Sequence, residues 1–302
     1  MILLAVLINI VLPVFIIIGA GFVLARAISL DAQTLSRLSL YVLAPSLAFS
    51  KMSQTSLGAT DIAQIVAFTV VGTLSLVLLS WGVARLMRLD RSLESAFVLS
   101  CSFVNHGNFG LPLVLFAFGQ AGLERALIYF VTGAFLTNTL GVFVASRGRT
   151  RATTALLNIF RIPMIYASVA AFGVGAANIT LPQTILRPVE MAGNAAIPVM
   201  LLLLGVQLAR TSLDQKVRPI SAAVAVRLIG GAVVGLALAA LMGLTGVTRQ
   251  ACVVEHSTPT AVMASILALE FGTEPEFVTG VIFASTLASM ATMTLLVAWI
   301  SQ

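Results

Sequence analysis

Charge is scarce in this chain. Of 302 residues, 17 are Lys or Arg and 11 are Asp or Glu, 9% in all, where a soluble domain carries about 25%. With 59% of its residues hydrophobic, the chain has more apolar surface than a soluble fold of this size can hide. It is expected to use lipid as its solvent. Cysteine is nearly missing as well. Cys101 and Cys252 both fall in apolar runs, which excludes a disulfide framework or a cysteine metal site and leaves two small buried hydrophobes. The enzyme signatures of membrane interiors are missing too. Glu255-His256 lacks the second histidine of a zinc site, and no serine nucleophile elbow or aspartate pair stands out. No basic residue precedes the first apolar run, Met1-Ile2-Leu3-Leu4, so that run reads as a retained span and not a cleaved signal.

What remains is a succession of apolar runs broken by short polar joints. A helix needs roughly 20 apolar residues to cross the hydrocarbon layer. Spans are expected at about Leu3–Leu24, Leu35–Phe49, Ile62–Val83, Leu93–Phe118 and Leu123–Ala145. After a basic joint, Ser146-Arg147-Gly148-Arg149-Thr150-Arg151, five more follow at Ala155–Val174, Val189–Leu208, Ile220–Leu241, Cys252–Leu269 and Phe277–Ile300. The expectation is an all-α integral membrane protein of ten transmembrane helices with no room for a separate soluble domain.

The basic residues orient it. Alternate joints collect Arg26, Arg37, Arg85, Arg88, Arg91, Arg147, Arg149, Arg151, Arg161, Arg210, Lys216 and Arg218 on one side. Only Lys51, Arg125, Arg187 and Arg249 fall on the other. The rich side is expected to be cytoplasmic, with both termini outward. The net charge of +6 thus reads as topology, and no nucleic-acid partner is expected.

The halves repeat one order of features. Pro45 and Pro198 mark the second and seventh runs, each followed by a Ser-Leu exit at Ser56-Leu57 and Ser212-Leu213. Pro112 and Pro259 mark the fourth and ninth, which leave through Phe118-Gly119 and Phe271-Gly272. Five spans per half is odd, so the halves must lie inverted to each other. Interrupted helices at matching places of inverted repeats point to a transporter's binding site.

Polar residues gather at those interruptions. The fourth run reads Asn105-His106-Gly107-Asn108-Phe109-Gly110-Leu111-Pro112 and the ninth Glu255-His256-Ser257-Thr258-Pro259. At 1.5 Å per residue, Asn105 lies roughly 18 Å and Pro259 roughly 15 Å into the layer, both near the midplane. Broken backbone at that depth must be buried or line a wet cavity, and half-helix N-termini aimed there favour an anion. Candidate substrate-binding residues are Asn105, His106, Asn108, Gly110, Pro112, Asn194, Arg227, Thr258 and Pro259. Glu255 and His256 are candidates for coupling transport to an ion. Each has a plainer reading. A membrane proline can simply kink a helix. His106 can be a buried histidine, Arg227 can snorkel to the cytoplasmic interface, Glu255 can reach outer water, and Asn194 and Asn138 can bond across helices.

Asn105, Gly107, Gly110 and Pro112 fit the Asn-x-Gly-x-x-Gly-x-Pro pattern of the auxin efflux carrier family, and Gly193-Asn194-Ala195-Ala196-Ile197-Pro198 resembles its seventh-span signature. The resemblance covers the whole chain, and the short central joint is similar to the bacterial members. It implies two inverted five-helix repeats with crossover helices 4 and 9, similar to bile acid sodium symporters. It also implies a scaffold at 1–57 and 148–213 and a mobile transport domain at 58–147 and 214–302. Members carry organic anions such as auxin or malonate, and some pair through the scaffold. Glu255-His256 is more ionisable than that pattern leads one to expect. The function expected is secondary transport, as efflux, of a small mono- or dicarboxylate across a bacterial inner membrane by alternating access. It would need no cofactor and would be coupled to protons or sodium. A passive anion channel or an intramembrane enzyme is the alternative.

Overall fold

The computed structural model describes residues 2–28, 30–55, 57–146, 163–177, 179–211 and 216–301. The basic joint beyond Ser146, Arg161, the first residues of the sixth expected span, Ser56 and Ser212-Leu213 lie outside them. We number the helices α1 (Ile2–Ala27), α2 (32–52), α3 (Ala59–Leu86), α4 (Arg91–Ser102), α5 (106–118), α6 (120–145), α7 (Pro163–Ala176), α8 (Gln183–Ala209), α9 (Val217–Leu241), α10 (Gly246–Ser257), α11 (Val262–Phe271) and α12 (Pro275–Ile300). Among the described residues the only strand-like feature is a single bridge between Val104 and Thr260.

By length and apolarity, six continuous helical runs can cross a membrane: Ile2–Ala27, Ala59–Leu86, His106–Ala145, Gln183–Ala209, Val217–Leu241 and Pro275–Ile300. The second, fourth, sixth and ninth expected spans fall on helices that are shorter or less apolar than these, the fourth in part on the 106–145 run. The 106–145 run is itself two helices. Gly119, at φ 65° and ψ −156°, adopts a conformation open to glycine alone. The His106 ring lies against Gly133 and its centroid is 5.0 Å from that of Phe130. On a straight helix, residues 27 apart would be about 40 Å apart, so α5 and α6 run back along each other.

Three of the five π-helical turns among the described residues precede a proline. Pro13, Pro45 and Pro112 each follow a five-residue π-helical turn, at Leu7–Val11, Ser39–Leu43 and His106–Gly110. In each the last bond spans five residues, from Leu12 N to Leu7 O, Ala44 N to Ser39 O and Leu111 N to His106 O. A proline ring clashes with the carbonyl four residues earlier, and the wider turn makes room for it. Pro188 and Pro198 sit inside α8 without such a turn.

Helices α1 and α8 approach closely backbone to backbone. A Cβ on Gly21 would overlap the carbonyl of Leu202, and one on Gly205 would overlap that of Ile18. Gly193 of α8 lies on the backbone of α2, where an added Cβ would sit 2.9 Å from Leu47 Cα. Lipid is as apolar as leucine, so helices associate there through close backbone approach at small residues. At the joints, Asp90 caps α4 by accepting from Ser92 N at 2.9 Å and Leu93 N at 3.2 Å. Arg85 pairs with Glu94 at 2.7 Å across the same joint.

Gly205→Ala should therefore lower stability by about 1–3 kcal/mol through overpacking, read as a fall in thermal midpoint in detergent. Gly19→Ala, whose Cβ meets nothing within 4 Å, should leave the midpoint unchanged or raise it.

Candidate functional site

The two broken helices satisfy each other. Asn105 N donates to Pro259 O at 2.8 Å, and Ala261 N donates to Phe103 O at 2.9 Å. Thr260 Oγ1 donates to Ser100 O at 2.8 Å, and Thr260 N donates to Ser285 Oγ of α12 at 3.2 Å. The backbone groups freed by the break from α4 to α5 thus meet those freed by the break from α10 to α11.

On one side of the crossing lies a cavity of about 400 Å³. The first residues of α5 (His106, Gly107, Asn108) and of α11 (Val262, Met263) line it, with their caps Asn105 and Ala261. The opening N–H groups of both helices lack helical partners, so both positive ends face one space. Asn105 is 5% exposed, and its Nδ2 has no hydrogen-bond partner among the described residues. Thr137 and Asn138 of α6, Gln207 of α8 and Ser36 and Ser39 of α2 add polar groups, while Met164, Met200, Leu203, Ile266 and Phe130 form apolar wall. The cavity extends toward the helix ends that carry Arg37, Arg210 and Glu270. The far side of the crossing is packed, with Glu255, His256, Ser257, Thr258 and Thr260 fully buried.

The expected site residues thus divide. Asn105, His106 and Asn108 line the cavity. Gly110, Pro112, Thr258 and Pro259 shape the crossing behind it. Pro259 receives the Asn105 bond, and Thr258 Oγ1 donates to Glu255 O at 2.8 Å. Asn194 lies elsewhere, exposed on α8, because neighbouring Gly193 faces α2 and turns it outward. Arg227 neither snorkels nor lines the cavity. It is fully buried in α9 and donates from Nη1 to Cys101 O at 2.7 Å and from Nη2 to His256 O. Asn138 bonds Ala134 O of its own helix at 2.8 Å, not a neighbouring one.

Glu255 and His256 sit in different surroundings. Both carboxylate oxygens of Glu255 lack a hydrogen-bond partner among the described residues, and the group lies on Gly110, where a Cβ would overlap Oε2. Glu255 therefore does not reach outer water. The His256 ring fits between Gly72 and Gly235, edge-on to Phe68, with Nδ1 2.9 Å from the hydroxyl of Tyr129. Sequence reasoning missed Tyr129, Thr137, Gln207 and the serines of α2. The serines left a trace as dilution of the second apolar run; Tyr129 and Gln207 left none.

A multi-pass helical protein with a cavity at two interrupted helices belongs among membrane transporters. The chain belongs to one family of these: the profile described as membrane transport protein matches residues 6–155 and 149–297, and it is the auxin efflux carrier family that the α5 motif resembles. A transporter of Methanothermobacter thermautotrophicus with no assigned substrate is 26% identical over 94% of this chain and 95% of its own length. A similarly unassigned transporter of Methanocaldococcus jannaschii is 24% identical over 87% and 88%. A protein of Rhizobium meliloti described as a proposed malonate transporter is 26% identical over 95% and 93%.

Gly110→Ala should destabilise the protein by about 1–3 kcal/mol as its methyl group displaces the Glu255 carboxylate. Adding Glu255→Ala to Gly110→Ala should recover part of that loss. A double-mutant cycle on the thermal midpoint checks the coupling, and strict additivity would separate the two residues.

Proposed function

We propose that this protein is a secondary transporter that binds a small organic anion at the crossing. The observation that carries the reading is the convergence of two half-helix N-termini, with Asn105, His106 and Asn108, on one cavity. Helix N-termini favour anions by their dipole and their free N–H groups, and about 400 Å³ lies within the usual range for small-molecule pockets. The malonate named for the Rhizobium relative fits the same class of small carboxylates.

On this reading the twelve helices among the described residues belong to ten spans in two inverted five-helix repeats. The fourth span is α4 with α5, and the ninth is α10 with α11. Residues 1–57 and 148–213 form the scaffold, with the rest of the chain moving against it. The basic side is cytoplasmic and the termini face outward, so this conformation faces inward, in a bacterial inner membrane. Alternating access is favoured over a channel because the far side of the crossing is packed shut. On that side Thr55 Oγ1 donates to Glu124 at 2.8 Å between the scaffold and moving parts, a contact that outward opening would break. Export is the direction proposed, and a second copy would pair through the scaffold.

Coupling rests on Glu255. A buried carboxylate without a partner is costly in a membrane, so it carries a proton or meets a cation. Protons are the coupling ion proposed, with sodium the rival.

The test is current from proteoliposomes on a solid support across acetate, pyruvate, malonate, succinate and indole-3-acetate. A saturable current for one acid, reduced at least about tenfold by Asn105→Ala as a buried polar contact is lost, is the expected result. Silence in both current and counterflow exchange would overturn the anion reading. Glu255→Gln should abolish uptake driven by a pH gradient while counterflow persists. A Gln variant still driven by the gradient would remove Glu255 from coupling.

A further inference from the structure

Arg227 is the largest fully buried side chain among the described residues. Among those residues no carboxylate pairs with it, although a guanidinium in a membrane interior is costly without compensation. Its partners are two backbone carbonyls from opposite halves of the chain, Cys101 O and His256 O. Each lies in the last turn of a half-helix, α4 ending at Ser102 and α10 ending at Ser257. The final carbonyls of a helix lack intrahelical donors and carry its negative dipole end. One guanidinium thus meets two negative helix ends and bonds both.

The surface of α9 is cut to hold it there. Residues 223, 227, 231 and 235 share one face at helical spacing. Ala223 O accepts from Cys101 Sγ at 3.5 Å. A Cβ on Gly231 would overlap Arg227 Nη2, and one on Gly235 would stand 3.2 Å from the His256 ring. Each neighbour of the arginine on that face is therefore small, and α9 reaches the ends of α4 and α10 together.

We propose that Arg227 is the positioning residue of the site. By tying the C-terminal ends of α4 and α10 to one planar cation, it fixes the angle at which the two chains cross. That crossing sets where α5 and α11 start, and so aims their N-termini at one point in the cavity. A guanidinium suits the task because its rigid fork bonds two acceptors in fixed directions, whereas an ammonium is a point charge on a flexible stem. The inference rests on the crossing being the substrate site, and two readouts keep the questions apart.

The first readout is the KM and maximal rate of transport in proteoliposomes, for the acid of the panel above with the largest wild-type current. Arg227→Met, similar in length and uncharged, should raise KM about tenfold or more, since small misplacements at a positioned site cost up to about a hundredfold. Arg227→Lys should recover part of that loss. Gly231→Ala, which leaves the charge and displaces Nη2, should raise KM several-fold. The second readout needs no substrate. Amide hydrogen exchange in nanodiscs should rise in the variants at 103–110 and 258–263 and stay unchanged in α1 and α8. Folded variants with wild-type KM and wild-type exchange at the crossing would overturn the proposal, as would exchange rising evenly along the chain. If Arg227→Met does not fold, Arg227→Lys and Gly231→Ala decide by the same criteria. If the wild type carries none of the acids, the anion reading fails and the exchange pattern alone judges Arg227.

Discussion

Backbone buried inside a protein has no water to bond, and this chain interrupts two helices where it is buried. The bonds from Asn105 N to Pro259 O and from Ala261 N to Phe103 O make those interruptions tolerable, because each break supplies the partners that the other lacks. Either break alone would leave buried donors and acceptors unmet, at a few kcal/mol for each group. The other features of the site follow from this exchange. It brings four helix ends to one place, with the two positive ends facing a cavity and the two negative ends facing Arg227. Opposite ends of the helix dipoles thus serve opposite tasks, one toward the cavity and one toward the protein's own cation.

Glycine is what lets bulky and charged groups into so small a space. Gly110 makes room for Glu255, Gly231 for Arg227, Gly72 and Gly235 for His256, and Gly133 for His106. None of these five needs the left-handed conformation; each is required because a methyl group would overlap or crowd a side chain. The glycines of the α5 motif are therefore as much a record of the tenth and sixth helices as of the fifth. Gly107 is the same case, where an added Cβ would stand 3.0 Å from the Phe130 ring.

Much of this was legible in the chain. Apolar runs, prolines and the polar residues beside them located both breaks, and Asn105, His106 and Asn108 do line the cavity. Hydropathy also divided residues 93–145 into two runs near Gly119, where the structure folds the chain back on itself. What a linear reading could not reach was direction. Asn194 and Gln207 are both polar residues of α8, yet Gln207 lines the cavity and Asn194 is exposed. Their difference is set by which face packs on α1 and α2, a property of Gly205 and Gly193. Arg227 misled for a related reason. A buried cation suggests an anionic partner, and its partners here are carbonyls, which every residue possesses and no motif reveals.

The placement of that cation bears on how a carrier can release what it binds. Among the described residues that line the cavity there is no Lys or Arg, and Glu270 stands toward its basic end. A guanidinium inside the cavity would hold a carboxylate through a charge-assisted, bidentate pair, which is strong and slow to leave. Helix N-termini offer only about 0.3–1 kcal/mol each, rising to about 2 when partly buried. On the anion reading proposed above, a substrate held by two such ends and a few amide groups would be bound firmly enough to be selected and weakly enough to be let go. With Arg227 set behind the crossing, the positive charge can organise the site without becoming a trap within it.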